Sequence, residues 1–230
     1  MDSARGQLLI AGPRLQDPNF WRTVVLVVEH SEAGALGLVL NRPSGTAVVD
    51  AVPQLAALVV DDDEEVLVGG PVAQSAVIVL ADFEDPDDAA LLAFDHVGVL
   101  GSDSAPGASD DDAMDGDDAG MGDAGISPER AGGDRDDDTE QRSGADPTSA
   151  VGSGGAGGAG LRRTRVFAGH SGWGPGQLDG ELARGDWILE PARYSDAFAA
   201  QPDSLWESVL ERKGGSYALV ARMPADPSLN

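Results

Sequence analysis

The sequence predicts an α+β protein, mostly antiparallel or mixed sheet, with several short helices packed around it. β-branched runs such as TVVLVVE (Thr23–Glu29) carry the sheet prediction. Gly, Pro, Asn and Asp clusters punctuate those runs, and apolar residues at helical spacing occur only over short stretches. Strand and helix segments interleaved in this way are the pattern of an α+β domain.

Gln7–Ala11 is an apolar run ended by Gly12-Pro13, and Asp17-Pro18-Asn19 is turn chemistry. Thr23–Glu29 is nearly continuous in apolar residues, as suits a strand buried on both faces. Ala35–Leu40 follows a Ser-Glu-Ala-Gly loop, so the two runs are expected to form a hairpin with a four- or five-residue connection, ended by Asn41-Arg42-Pro43. Val48–Leu58 has helical spacing, and Asp61–Glu65 reads as an exposed charged turn. Val66–Val68, Val77–Leu80 and Val97–Leu100 are further strands. In the C-terminal part, Thr164–Ala168 is a strand running into a glycine-rich turn. Gln177–Arg184 is a helix, Trp187–Glu190 a strand and Leu205–Arg212 a helix.

Between these parts lies Ser102–Gly160, a Gly/Asp/Ala/Ser stretch with 15 acidic and 3 basic residues and almost no large apolar side chain. It cannot bury enough surface to offset chain entropy and is expected to be a disordered insertion. Residues 1–101 and 161–230 then form one discontinuous domain of about 170 residues, since neither part alone is comfortable as a core. A long insertion is tolerated because closure entropy grows only logarithmically with loop length.

The formal net charge of -25 disfavours direct binding to a phosphate backbone. The exception is local: Arg162, Arg163 and Arg165 cluster just after the insertion. Cysteine is absent, which removes disulfides and thiolate chemistry. The beginning MDSARGQLL has no basic start followed by an apolar run, and no apolar stretch reaches membrane-spanning length. The expectation is a cytoplasmic chain with no membrane partner.

GHSGW (Gly169–Trp173) approaches the G-x-S-x-G nucleophile elbow, but Trp173 stands where a small residue is required and no histidine follows His170 to complete a triad. Gly174, Gly176 and Gly180 approximate a dinucleotide fingerprint, but the following helix is too short for a crossover. Gly69-Gly70-Pro71 lacks the Lys-Ser/Thr of a P-loop. His30, His96 and His170 are widely separated, with no metal-ligand spacing. No cofactor is predicted.

What remains is a set of polar residues and glycines at loops: Asn19, Arg22, His30, Asn41, Arg42, Gly69, Gly70, Trp173 and Gln177. As a binding cleft they would offer close backbone approach at glycine, an anion site at Arg22 and Arg42, and a stacking face at Trp173. As a structural network they would satisfy one another, as buried polar groups must.

Three separated segments resemble the YqgE/AlgH family (UPF0301, DUF179). They are LLIAGPRLQDPNFWRTVVLVVEHSEAGALGLVLNRP (Leu8–Pro43), VGGPV (Val68–Val72), and GWGPGQLDGEL with GDW (Gly172–Trp187). The resemblance implies an α+β fold whose sheet is folded into a pseudo-barrel, and no established enzyme activity. One branch of the family is described as a transcriptional regulator of alginate synthesis. Val28 stands where many relatives carry Cys, so a thiol-based role proposed for them cannot operate here. His170-Ser171 stands where relatives commonly read Tyr-Ala, which argues against those two as shared functional residues. The expected function is a non-enzymatic ligand-binding or regulatory module for an unidentified small molecule or protein. The alternatives are a small-molecule hydrolase or flavin- or nucleotide-using enzyme, and an adaptor using the acidic segment on a basic partner.

Overall fold

The apolar run at the start forms strand β1 (Gln7–Ala11) and the β-branched run forms β2 (Val24–Ser31). The computed structural model describes residues 3–15, 17–101 and 160–223, all within one compact unit. The expected disordered insertion, residues 102–160, lies outside the described residues except for Gly160, whose carbonyl accepts from Glu84 N–H. β2 is buried on both faces as its composition requires. Leu8, Ile10, Val24, Leu26 and Val28 enter one core layer, while Leu9, Ala11, Val25 and Val27 enter another. This is the period-2 alternation of a strand with apolar cover on each side.

β2 turns directly into β3 (Gly34–Val39), so the connection is tighter than the expected loop, and a bulge between Val27 and Glu29 adjusts the register. β4 (Pro43–Ala47) starts where the sequence suggested only a terminator, and it pairs with β5 (Glu65–Val68). Between them the expected helix over residues 48–58 is broken. Its first turn is α1 (Val48–Ala51), and a 3-10 segment follows at Pro53–Leu58. Pro53 has no N–H to continue the α-helical ladder and forces Val52 out of the helical region, to φ -140°.

β6 (Val72–Phe83), β7 (Leu91–Phe94), β8 (Val97–Val99) and β9 (Leu161–Trp173) build the second part of the sheet. β9 runs 13 residues through the segment read as a glycine-rich turn. Arg163–His170 and their neighbours pair antiparallel with β6, Phe167 and Ala168 pair in parallel with β5, and Ser171–Trp173 pair with β3. At Gly169 (φ 70°) the strand bends and the β6 register jumps, leaving Ala73–Ala76 unpaired with β9. Then come α2 (Gln177–Arg184), β10 (Trp187–Pro191), α3 (Tyr194–Ala197), α4 (Leu205–Lys213) and α5 (Tyr217–Ala221).

The strand order is β10-β1-β2-β3-β9-β6-β8-β7, with β4 and β5 attached beside β9. The pseudo-barrel is therefore corrected: among the described residues the sheet is not closed, because β10 and β7 end the path without pairing to each other. β7 is a four-residue strand whose ladder goes to β8. The sheet instead folds over on itself by apolar packing, with Ala93 and Val97 meeting Leu26, Val28 and the α4 residues Trp206, Val209 and Leu210 in one core. A third cluster, Val48, Leu55, Phe83 and Val166 among its members, fills the space beneath the broken helix.

Candidate functional site

Asn41 is buried and clamps the entry to β2: Val24 N–H donates to its Oδ1 at 2.8 Å, and its Nδ2 donates to the Arg22 carbonyl at 2.9 Å. Arg22 itself sits at φ 52° and turns away from the clamp toward the C-terminal helices. Its guanidinium lies 4.5 Å over the Trp206 ring, donates to the Met223 carbonyl and approaches Glu207 at 3.7 Å. Arg42 donates to the Trp21 carbonyl at 2.7 Å, and its own carbonyl accepts from Val68 N–H at 2.7 Å. Each of these polar groups serves to tie the 17–23 loop to its surroundings.

His30 and Trp173 belong to a second neighbourhood. Ala4 N–H donates to His30 Nδ1 at 3.0 Å, so the opposite nitrogen faces Asp179 at 3.7 Å. Trp173 is 6 % exposed and shares a cluster with Phe20 and Trp187, ring centroids 6.2 and 6.1 Å away. Glu181 is the polar centre of that cluster. One of its oxygens accepts from both indole N–H groups, at 2.9 Å from Trp173 and 2.8 Å from Trp187; the other accepts from Gln177 Nε2 at 3.0 Å. Gln177 in turn accepts from Gly174 N–H at 3.1 Å, which fixes the turn into α2.

Gly69 and Gly70 allow the chain leaving β5 to cross β9 at its bend. A Cβ on Gly69 would lie 2.2 Å from the Gly169 carbonyl oxygen, and one on Gly70 2.3 Å from the His170 carbonyl carbon. Close backbone approach is what glycine permits, and here the approaching group is the protein's own chain. Asn19, Arg42 and Gly70 do meet, lining with Pro18, Val39 and Gln74 a shallow hollow of about 250 Å³. Arg22, His30, Trp173 and Gln177 do not line it. The adjacent His170 and Ser171 point to opposite faces of β9, as strand neighbours do. The Ser171 hydroxyl donates to the Gly69 carbonyl at 3.2 Å. No group of His, Asp and Glu side chains among the described residues has the geometry to hold a metal ion.

A larger cavity, about 570 Å³, opens elsewhere, between the loop before β5, the first half of β9 and the segment before α4. Its walls carry Asp61, Asp63, Glu64, Glu65, Arg163, Arg165 and Asp203. Arg163 and Arg165 share a face because they are two residues apart on a strand. Arg162 points the other way, to Asp82 at 3.3 Å and the Phe83 carbonyl at 3.0 Å. The basic cluster seen in the sequence is thus divided between two surfaces.

Glu64, expected in an exposed turn, has a side chain only 10 % exposed, beside an Arg165 side chain 8 % exposed. Its backbone explains the burial: the Glu64 carbonyl accepts from Val48 N–H at 2.8 Å, holding the loop against α1. Glu64 Oε1 and Arg165 Nε stand 3.7 Å apart, an ion pair too long for a hydrogen bond. Neither atom has a hydrogen-bond partner among the described residues, nor does Arg163 Nε. Arg165 is otherwise held by donating to the Ala199 carbonyl, and Arg163 lies over the Phe198 ring at 5.7 Å.

Burial raises the Glu64 pKa, opposed by the charges of Arg165 and Arg163 and assisted by Asp61. Burial also lowers that of Arg165, opposed by Glu64 and assisted by Arg163. Both directions say the same thing: desolvation outweighs the attraction across the gap, as happens when a buried pair lacks supporting hydrogen bonds. No sequence motif marks this pair, whose members are joined only by folding. The one available signal was alternation, which puts Arg163 and Arg165 together on the face away from Arg162 and Thr164.

A model of the AlgH-like family (DUF179) matches residues 8–105 and 138–218 of the chain. A UPF0301 protein of Thermobifida fusca is 37 % identical, covering 99 % of this chain and 96 % of that one. A UPF0301 protein of Streptomyces coelicolor is 36 % identical, covering 100 % and 97 %. Among solved structures, a Corynebacterium diphtheriae protein gives a TM-score of 0.66 at 23 % identity, covering 97 % of this chain and 94 % of that one. The AlgH protein of Pseudomonas aeruginosa gives 0.58 at 23 % identity, covering 96 % and 95 %. This chain is alike in fold to each of these two structures.

Proposed function

The chain belongs to the AlgH-like family, and on that premise we propose that it is a non-enzymatic binding module for a small polar molecule, held in the cavity over Glu64 and Arg165. The observation that carries this reading is the set of buried, unsatisfied atoms on residues lining that cavity: Glu64 Oε1, Arg163 Nε and Arg165 Nε. A buried donor or acceptor without a partner costs roughly 1–3 kcal/mol. Those atoms are closed off from solvent, so a ligand recovers that cost by drawing the Glu64, Arg163 and Arg165 side chains round to its own charges. The cavity volume also falls in the range that small-molecule sites occupy.

The hollow at Asn19, Arg42 and Gly70 is the weaker candidate. It is less than half the size, and the Arg42 guanidinium that lines it is already engaged by the Trp21 carbonyl. The regulatory part of the proposal is supported only by the cavity's walls coming from three parts of the chain, which a ligand would bridge.

Native mass spectrometry of the full chain tests the reading. A bound small molecule that is lost in both Glu64→Gln and Arg165→Met, with the fold intact by circular dichroism, is the expected result. A molecule retained in both variants, or none at any stage of purification, would remove the basis for the module.

A further inference from the structure

The walls of the larger cavity carry more chemistry than an unspecified polar ligand would need. Arg163 and Arg165 lie on one strand, roughly 7 Å apart along it. Facing them are Asp61, Asp63, Glu64 and Asp203 from two separate loops. An anion alone would meet this excess of carboxylates. A cation alone would leave the Arg163 and Arg165 Nε–H groups without acceptors, and both are buried. The Arg165 side chain is 8 % exposed and lines the cavity, and its Nε–H has no acceptor although the Glu64 carboxylate stands 3.7 Å away, so the two charges are not spent on one another.

Resting on the binding reading above, we infer that the cavity takes a zwitterion of free amino-acid or dipeptide size. Its carboxylate is received by Arg163 and Arg165, and its ammonium by Glu64 and Asp63. Guanidinium groups suit the carboxylate end, since their fixed N–H donors match two oxygens in one plane. The acidic loop supplies acceptors only, so it suits an ammonium and discriminates against a blocked, uncharged amine. Specificity then comes from leaving a buried group unpaired when either end of the ligand is missing.

The test titrates the full chain with a library of free amino acids and dipeptides, each beside its N-acetyl and C-amide forms, by calorimetry. At least one free member binds with one-to-one stoichiometry, and blocking either end weakens it about tenfold or more (roughly 1.4 kcal/mol). Arg163→Gln reduces the penalty for the amide, and Asp63→Asn reduces the penalty for the acetyl group. Neither residue is fully buried, so the fold is retained. Equal affinity for a blocked and a free form would overturn the zwitterion. If no library member binds while a native adduct is still lost in Arg165→Met, the zwitterion falls and the module stands. If neither appears, both fall.

Discussion

Two carboxylates, Glu181 and Glu64, are packed against the same sheet and treated in opposite ways. Glu181 accepts from two indoles and a glutamine amide, so its oxygens are occupied by the protein itself. Glu64 is more deeply enclosed than a turn residue should be, yet its Oε1 has only a distant guanidinium for company. The first arrangement is a closed network that stabilises the fold. The second is an open one, which as it stands costs stability. Burial of charge therefore does not single out a candidate site here; incomplete satisfaction of buried charge does.

The contrast can be broken most directly at the closed network. Glu181→Ala leaves the Trp173 and Trp187 N–H groups without their acceptor in an aromatic cluster, and is expected to cost about 3 kcal/mol by urea unfolding. Asn41→Ala, which removes both arms of the clamp on the 22–24 backbone, comes next at about 2 kcal/mol by the same measurement. Losses near zero at either position would mean that the satisfied networks are ornamental.

The open network should respond to pH. The raised pKa of Glu64 means the folded chain holds that proton more tightly than the unfolded chain does. The stabilisation is complete below the ordinary carboxylate value of 4.5 and is lost as pH rises through the folded value. Relative to Glu64→Gln, which does not titrate, the ligand-free wild type therefore loses ground as pH rises from the ordinary carboxylate value toward neutrality. Thermal melts across that interval check the sign. A wild type that gains on the variant as pH rises would show that the Arg165 attraction wins after all.

Much of the scaffold was legible because it follows local rules. The double burial of β2 is written in its unbroken apolar run, and α2 ends at Gly185 with φ 74°. Pro53 was in plain view, yet the helix expected over residues 48–58 ran through it, and the chain breaks there as proline chemistry requires. The course of β9 through Gly169–Trp173 was not legible, since glycines that look like a turn there serve the crossing of the chain beyond β5. Family likeness suggested closure of the sheet, whereas the ends of the strand path stay apart. The candidate site divides similarly. Asn41, Arg42 and Gly70 could be picked out beside their turns, but Glu64 looked like one more charge in an acidic run. Its pairing with Arg165 is set by tertiary structure, which no window of sequence contains.

The central claim is that the Glu64–Arg165 pair is maintained for a ligand and not for the fold. Unfolding free energy of ligand-free Glu64→Gln/Arg165→Met, set beside that of Glu181→Ala, tests it in one measurement. The account predicts a change within about 1 kcal/mol of wild type for the double replacement, against a loss of about 3 kcal/mol at Glu181. A double variant destabilised as much as Glu181→Ala would contradict it.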